Sequence, residues 1–511
     1  MLRGYAVPAV RAAEEQVRAG LADGKLMLRA ARGLAKVVRV RARQQRAARV
    51  VVLAGPGDNG GDALHAAALL ARTHPVAVVG LAARLHEGGL TAARQAGLEV
   101  RCVDPAAAQL PAEVVDLLAE ADLVVDGLLG IGGRPGLGGA MDLAVAAVPD
   151  TAYLLSVDLP SGADPGGRER PGRMVYADET VTFGMLKPVH LLPATEPAVG
   201  TLTVVDIGVE MDVPPVVERL EHTDVAGLWP VPTMSDHKYT RGVVGVVAGS
   251  VAFPGAAVLT TTAAVGAGAG MVRYLGPRRA EDLVLAACPE VVPGPGRMQA
   301  AVVGPGVAPQ GCDHPDRDDH QADHVRELLG SDLPLVVDAG ALELLVTWAG
   351  QGHRRTAPTL LTPHAGELAR MLTALEAKAP EADSREGSAG AGTSRADVEG
   401  DPLGHARRLA EQTGCTVLLK GSTTLVVDPA PDVPARSQAD APAWLATAGA
   451  GDVLAGLAGT LLAAGLTPRD AGSLAALVHG VAADRANPGG PVRALAVAHA
   501  IPEAVAHLLH R

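Results

Sequence analysis

Short Val-rich apolar runs alternate with longer stretches of helical spacing along this chain, and that alternation sharply limits how it can fold. Val50–Ala54, Val76–Ala82, Glu99–Val103, Asp122–Asp126 and Tyr153–Asp158 read as strands, with helices expected over 63–73, 90–97, 110–120 and 140–148. Such a series predicts a parallel sheet covered by helices on both faces. Segments 179–183 and 201–206 finish it, and an Arg-rich helical pattern over 11–47 precedes it. A second series begins at Val243–Ala248. It continues through Ala300–Val303, Leu335–Asp338, Thr359–Thr362, Thr416–Leu419 and Thr424–Val427, with helices from Gly451 onward. Between the two, Glu210–Asp236 carries Pro214, Pro215, Pro230 and Pro232 and reads as the joint between domains. A chain of 511 residues has material for two or three domains. Aromatic residues make up only 2%, so Ala, Val and Leu must fill the cores.

Acidic residues outnumber basic ones 56 to 44, a net charge of −12, which argues against a nucleic-acid or anionic-membrane partner. Residues 242–272 contain no charge and are long enough to span a bilayer, but they are Gly-, Ala- and Thr-rich with Pro254 inside. A strand, a glycine loop and a buried helix are expected there instead. Cys102, Cys288, Cys312 and Cys415 lie far apart and form no CxxC, so neither a disulfide framework nor a zinc site is expected, and a cytoplasmic location fits. Residues 374–402 are small and charged, and predict a disordered surface loop. The Asp- and His-rich run Gln310–His320 predicts another loop, with no regular metal-ligand spacing.

After Val50–Ala54 comes Gly55-Pro-Gly-Asp-Asn-Gly-Gly-Asp62, in which Gly55, Gly57 and Gly60 satisfy GxGxxG between a strand and a helix. That pattern lets a backbone approach a phosphate at a helix N-terminus. Asp58 and Asp62, expected in the loop, would repel a bare pyrophosphate, and the second strand ends in Gly80-Leu-Ala-Ala-Arg84 with no acid for a ribose. A dehydrogenase loop is therefore disfavoured. Asp126 and Asp158 end two further strands, and Asp158 leads into Leu159-Pro-Ser-Gly162. In a parallel sheet these carboxyl ends form the ligand crevice. Asn59, Asp126, Asp158 and Ser161 can converge there as hard oxygen donors for an alkali or alkaline-earth cation.

GPGDNGGD, VDGLLGIG, VDLPSG and FGMLKPVHLL (183–192) together resemble the NAD(P)H-hydrate epimerase family, over roughly residues 1–220. The resemblance implies a Rossmann-like three-layer domain that interconverts the R and S forms at the hydrated C6 carbon of damaged NADH or NADPH. It implies potassium on Asn59, Asp126 and Ser161. It also implies substrate contacts from Asp58, Asn59, Gly60, Gly61 and Asp62, from Gly130, Ile131, Gly132, Gly133, Arg134, Pro135 and Gly136, and from Asp158. The family usually has Asn where this chain has Asp58. Asp158 is the candidate for acid–base work.

In the second half, Thr447-Ala-Gly-Ala-Gly-Asp-Val-Leu454 opens a long apolar helix. Gly449, Ala450 and Gly451 let successive N–H groups face one concavity, an anion hole for a phosphoryl group in transfer. Asp452 stands where a carboxylate can take a proton from a substrate hydroxyl. Leu418-Leu-Lys-Gly-Ser-Thr-Thr424 puts Lys420 and a small polar loop after a buried strand, suited to a nucleotide phosphate.

These motifs, with Asp236-His-Lys-Tyr-Thr-Arg-Gly242, Pro254-Gly-Ala-Ala257, Val303-Gly-Pro-Gly306 and Leu361-Thr-Pro-His-Ala-Gly-Glu367, resemble the ribokinase-like superfamily. Within it they are similar to the ADP-dependent NAD(P)H-hydrate dehydratases, over roughly 229–511. That implies a ribokinase-like α/β domain binding the S hydrate through Ala256, Gly306, His364 and Asp452, and ADP through Lys420, Gly421, Ser422, Thr423, Thr424 and Gly451. The resemblance also implies that ADP phosphorylates the C6 hydroxyl, releasing AMP, with Mg²⁺ screening the phosphates, and that loss of phosphate then restores the nicotinamide. Gly340 stands where the family commonly has a second acid, and Ala365 where Pro is common. The expected partners are small molecules, hydrated NADH or NADPH and ADP, and the expected assembly is a homo-oligomer. The alternative is a ribokinase-like kinase of a vitamin-precursor alcohol beside a non-catalytic nucleotide-binding module, since fold alone does not fix function.

Overall fold

The computed structural model describes residues 1–308, 320–377 and 392–510. They fall into two compact units, one of Arg3–Val217 and one of Glu218–Arg511 with Met1–Leu2. Nearly all of 310–320 and the middle of 374–402 lie outside the described residues. The flanks of the second stretch do not form a loop: Ala365–Glu376, Arg395–Gly400 and Pro402–Thr413 are helices. Capping explains the latter two, because Ser394 and Asp401 each accept a hydrogen bond from the first turn that follows.

In the first unit, seven parallel strands lie in the order Val100–Cys102, Val76–Gly80, Val50–Ala54, Leu123–Gly127, Tyr153–Val157, Glu179–Phe183, Thr201–Val205. The order reverses between Val50–Ala54 and Leu123–Gly127, so the loops leaving those two strands diverge and open a crevice at their carboxyl ends. The Arg-rich pattern near the start is two helices, Val7–Ala19 and Lys25–Gln44, broken where Gly24 takes a positive φ of 71°. The helix expected from residue 63 begins at Asp58 and runs to Leu70, so Asp58 and Asp62 belong to a helix and not to a loop. Carboxylates are favoured at the positive end of a helix, which the loop reading left out.

The second unit has the predicted strands at 243–247, 300–303, 335–337, 359–361, 416–419 and 424–427. It adds Met271–Tyr274, Val292–Pro293 and the polar Ala435–Gln438. Here too the order reverses, because Val243–Val247 pairs in parallel with both Met271–Tyr274 and Ala300–Val303. The charge-free stretch is strand Val243–Val247, a loop, and buried helix Pro254–Gly266. Among the described residues no helix is long and apolar enough to cross a membrane. The expected joint holds strand Val217–Arg219 and helix Val225–Leu228, so its prolines punctuate ordered structure.

Candidate active sites

At the switch point of the first unit, the glycines serve close packing. A Cβ on Gly55 would lie 1.7 Å from the Leu128 carbonyl oxygen, and one on Gly60 would lie 2.1 Å from that of Gly55. Gly61 is closed off in the same way by His86, at 2.8 Å. This packing draws the start of helix Asp58–Leu70 down onto the loop after Leu123–Gly127. Gly130 then lies against the Asn59 carboxamide, 2.2 Å from Oδ1 to where its Cβ would stand.

Asn59, Asp126 and Ser161 are all buried. Asn59 Nδ2 donates to the carbonyls of Val157 (2.5 Å) and Leu129 (3.2 Å). Asp126 accepts from the Ser156 hydroxyl (2.8 Å) and from the Ser161 hydroxyl (2.6 Å) and N–H (2.9 Å). Burial raises the Asp126 pKa, against the pull of these hydrogen bonds. Among the described residues, no three His, Cys, Asp or Glu side chains gather as a metal site. The donors here are one carboxylate, one carboxamide and one hydroxyl, a hard, weakly charged oxygen set suited to an alkali cation.

Beside them is a cavity of about 500 Å³ lined by Glu14, Asp58, Asn59, Asp62, Ile131 and Asp158, among others. Asp158 has a φ of 68°, a left-handed conformation that Asp tolerates better than most side chains, just past the end of its strand. Its Oδ1 accepts from Lys187 Nζ and from Thr182 Oγ1 (3.0 Å). The Lys187 side chain is fully buried. Burial alone would raise the Asp158 pKa, but the Lys187 ammonium holds it below the usual carboxylate range. His190 Nε2 lies 2.7 Å from the Asp158 carbonyl oxygen while its Nδ1 accepts from the Lys187 N–H. That leaves a neutral Nε2–H ring, and burial pushes its pKa down to about 4. Arg134, Pro135 and Gly132 are exposed and do not line the cavity. Lys187 stood in a quoted motif without a role, and its partner lies 29 residues away. Glu14, Arg18, His65 and His86 also line the cavity and gave no motif signal.

In the second unit the site is again built at carboxyl ends. Gly306, at φ 66°, has room for no Cβ because Ala256 Cβ would stand 2.6 Å away, which puts the two predicted residues side by side. Gly449, at φ 86°, opens helix Ala450–Ala463, and Asp452 lies in its first turn. Lys420 Nζ bonds Asp338 Oδ1 (2.7 Å) and stands 3.8 Å from Glu367 Oε2. A Cβ on Gly451 would lie 3.4 Å from the same Nζ. Lys420, Asp338, Gly451 and Asp452 therefore share one locus. Burial would lower the Lys420 pKa, but Asp338 and Glu367 raise it. Burial, then the Asp338 charge, pushes Asp452 up to about 6.

Gly421, Ser422 and Thr423 form the turn of an antiparallel hairpin, with Thr423 buried and Gly421 and Ser422 exposed. His364 caps helix Ala365–Glu376. Its Nδ1 accepts from the N–H groups of Gly366 (3.1 Å) and Glu367 (3.2 Å), and Glu367 Oε2 accepts the His364 N–H (2.8 Å). Ala365 is the first helical position, where Pro is favoured but not required. Asp338, quoted only within its strand, is the residue the motif reading missed.

Residues 23–189 match the family described as YjeF-related protein N-terminus, and residues 244–502 match the NAD(P)H-hydrate dehydratase family. The bifunctional NAD(P)H-hydrate repair enzyme of Mycobacterium leprae is 41% identical over 499 residues, covering 95% of this chain and 94% of its own. That of Escherichia coli K12 is 31% identical, covering 91% and 85%. Among solved structures, the ADP/ATP-dependent NAD(P)H-hydrate dehydratase of Bacillus subtilis, co-crystallised with ATP/Mg²⁺, is 24% identical. It covers 58% of this chain and 100% of its own, with a TM-score of 0.46.

Proposed function

The chain belongs to the family of bifunctional NAD(P)H-hydrate repair enzymes, and on that premise we infer that it returns hydrated NADH and NADPH to usable cofactor in two steps, one in each compact unit. The observation that carries this is the presence, in one chain, of both family matches, each over a unit with a Lys–Asp pair at the carboxyl ends of its sheet.

The first unit (proposed domain 1–220) inverts C6. Asp158, ionised beside Lys187, is the base; residues 58–62 and Ile131 hold the nucleotide at the cavity, and the rest of 130–136, outside its lining, would reach only the parts of the nucleotide that extend beyond it. Potassium would be held by Asn59, Asp126 and Ser161, whose donors fit it, and would supply a fixed positive charge beside the substrate.

The second unit (proposed domain 229–511) dehydrates the S form. Asp452 takes the proton from the C6 hydroxyl as that oxygen attacks the terminal phosphoryl of ADP, and AMP leaves. The N–H groups of Gly449–Gly451 hold the phosphoryl oxygens, and Lys420 with residues 421–424 holds the nucleotide. Phosphate then departs from C6 with loss of a proton from the neighbouring carbon. His364, Gly306 and Ala256 contact the hydrate. Mg²⁺ would arrive with the phosphates and screen their charge, with Asp338 and Asp452 as the carboxylates near it. The proposed compartment is the cytoplasm.

The test is incubation with mixed NADH hydrate epimers, Mg²⁺, K⁺ and ADP or ATP, following regenerated NADH. Complete conversion, above an Asp158→Ala control that carries only spontaneous epimerisation, is expected. Conversion that stops at the S fraction would sink the epimerase. No recovery with either nucleotide would favour the small-molecule kinase.

A further inference from the structure

The epimerase cavity contains a second carboxyl in the opposite condition to Asp158. Asp62, on helix Asp58–Leu70, lines the same space and is 7% exposed. Among the described residues its Oδ1 is buried without a hydrogen-bond partner, whereas Asp158 Oδ1 has both Lys187 and Thr182. A buried, unpaired carboxylate oxygen is costly, and the larger part of the cost, that of burying a charge, is removed if the group keeps its proton. Facing charges push the same way. Asp158 comes from just past strand Tyr153–Val157, Asp58 from the same helix and Glu14 from helix Val7–Ala19, while Arg18 is 3.8 Å from Asp58 and Lys187 is taken by Asp158. Asp23, Lys25, His65 and His86 complete the ionisable lining. Burial first, then these carboxylates, raises the Asp62 pKa well above its usual value. Two carboxyls whose environments drive them apart in one cavity supply an acid and a base together.

We propose that Asp62 is the general acid of the epimerisation, delivering its proton to the departing C6 hydroxyl while the Asp158 carboxylate takes a proton from the water that attacks the other face. The inference rests on the epimerase function of the first unit. The C6–O bond breaks with its electron pair leaving on water, and the ring nitrogen lone pair closes a C6=N1 iminium. A second water then forms the new C6–O bond and loses its proton to Asp158. The cycle ends with Asp62 ionised and Asp158 protonated, which is the starting state for inversion from the opposite epimer. Cavity water returns the proton between like turnovers.

The experiment uses the full-length protein and purified R hydrate, with inversion followed chromatographically. Asp62→Asn is expected to lower kcat about 10²–10⁴-fold with KM within about threefold, and Asp62→Glu to recover part of the loss. The wild-type rate should fall at alkaline pH as Asp62 ionises, and the residual Asp62→Asn rate should lack that limb. In H₂¹⁸O each inversion should place one ¹⁸O at C6. An Asp62→Asn rate within about tenfold of wild type, an unchanged alkaline limb, or inversion with ¹⁶O retained would each overturn the assignment. Thermal melting identifies a variant that fails to fold, in which case Asp62→Ser is judged by the same criteria. If wild type itself does not invert the hydrate, the epimerase function falls, which is a different failure.

Discussion

Both units hold a lysine against a strand-end aspartate, and they use the pair differently. In the first unit Lys187 is fully buried and its charge goes to Asp158, one of the carboxylates that line the cavity. In the second, Lys420 is shared between Asp338 and Glu367, and Asp452, in the first turn of helix Ala450–Ala463, has no ion pair among the described residues. The cation therefore lowers the pKa of the proposed base in one unit and leaves it raised in the other. Inverting a hemiaminal needs an ionised base beside a protonated acid. Phosphorylating a hydroxyl needs a base near neutrality and a cation that is not spent on that base. The same two residue types serve both tasks because the lysine's second neighbour differs, Thr182 in one unit and Glu367 in the other.

The largest effect is expected at the carboxylate without a lysine partner. Asp452→Asn should lower ADP-dependent dehydration about 10²–10⁴-fold, the usual worth of a positioned base, while inversion of the R hydrate continues at the wild-type rate. A parallel loss of both activities would break the division of labour between the units. Next comes Lys187→Met, which strands the Asp158 carboxylate in a buried site and should cost about 3–5 kcal/mol of stability in residues 3–217. It is read as a lowered first transition in thermal melting. Little change in melting would mean that Asp158 is solvated well enough to need no partner.

How far the sequence reveals this depends on how local each signal is. Strands such as Val50–Ala54 and Ala300–Val303 are apolar throughout, buried on both faces, and end where the composition says they should. Ala435–Gln438 has no such run. It is a strand because it pairs antiparallel with Thr424–Val427, and its buried Arg436 is accommodated by Asp470 at 2.5 Å and Glu218 at 3.4 Å, partners distant in sequence. The site residues divide in the same way. Asp126, Asp158 and Asp452 are visible as strand-end or helix-start acids in glycine-rich frames. The direction in which Lys187 points, and the lack of any partner for Asp62 Oδ1, depend on packing between elements and leave no mark in spacing. The GxGxxG pattern was legible but its cause was not, because Gly55 and Gly60 clear a path for backbone within the protein.

The two bases should also separate with pH. With Asp452 held at about 6, the dehydratase rate should rise through that value, be flat above about 7, and fall roughly tenfold for each unit below 5. Asp158, held low by Lys187, should keep its unit supplied with base across the same range. Rate profiles of the two activities on one preparation check this, and a shared acid limb would remove the electrostatic difference.

The smallest effect tests whether His364 belongs to the site or only to its scaffold. Its Nδ1 caps helix Ala365–Glu376, and Glu367, which answers the cap, also faces Lys420. Loss of an N-cap costs about 0.5–2 kcal/mol, so His364→Ala should lower the melting of residues 218–511 modestly. Asn is among the best N-cap residues and has no imidazole, so His364→Asn should restore the melting. If His364 contacts the hydrate, KM for the S form stays raised in both variants. If the ring serves only the helix, KM recovers with stability in His364→Asn, and the charged network around Lys420 then needs nothing more from His364 than a fixed start for the helix that carries Glu367.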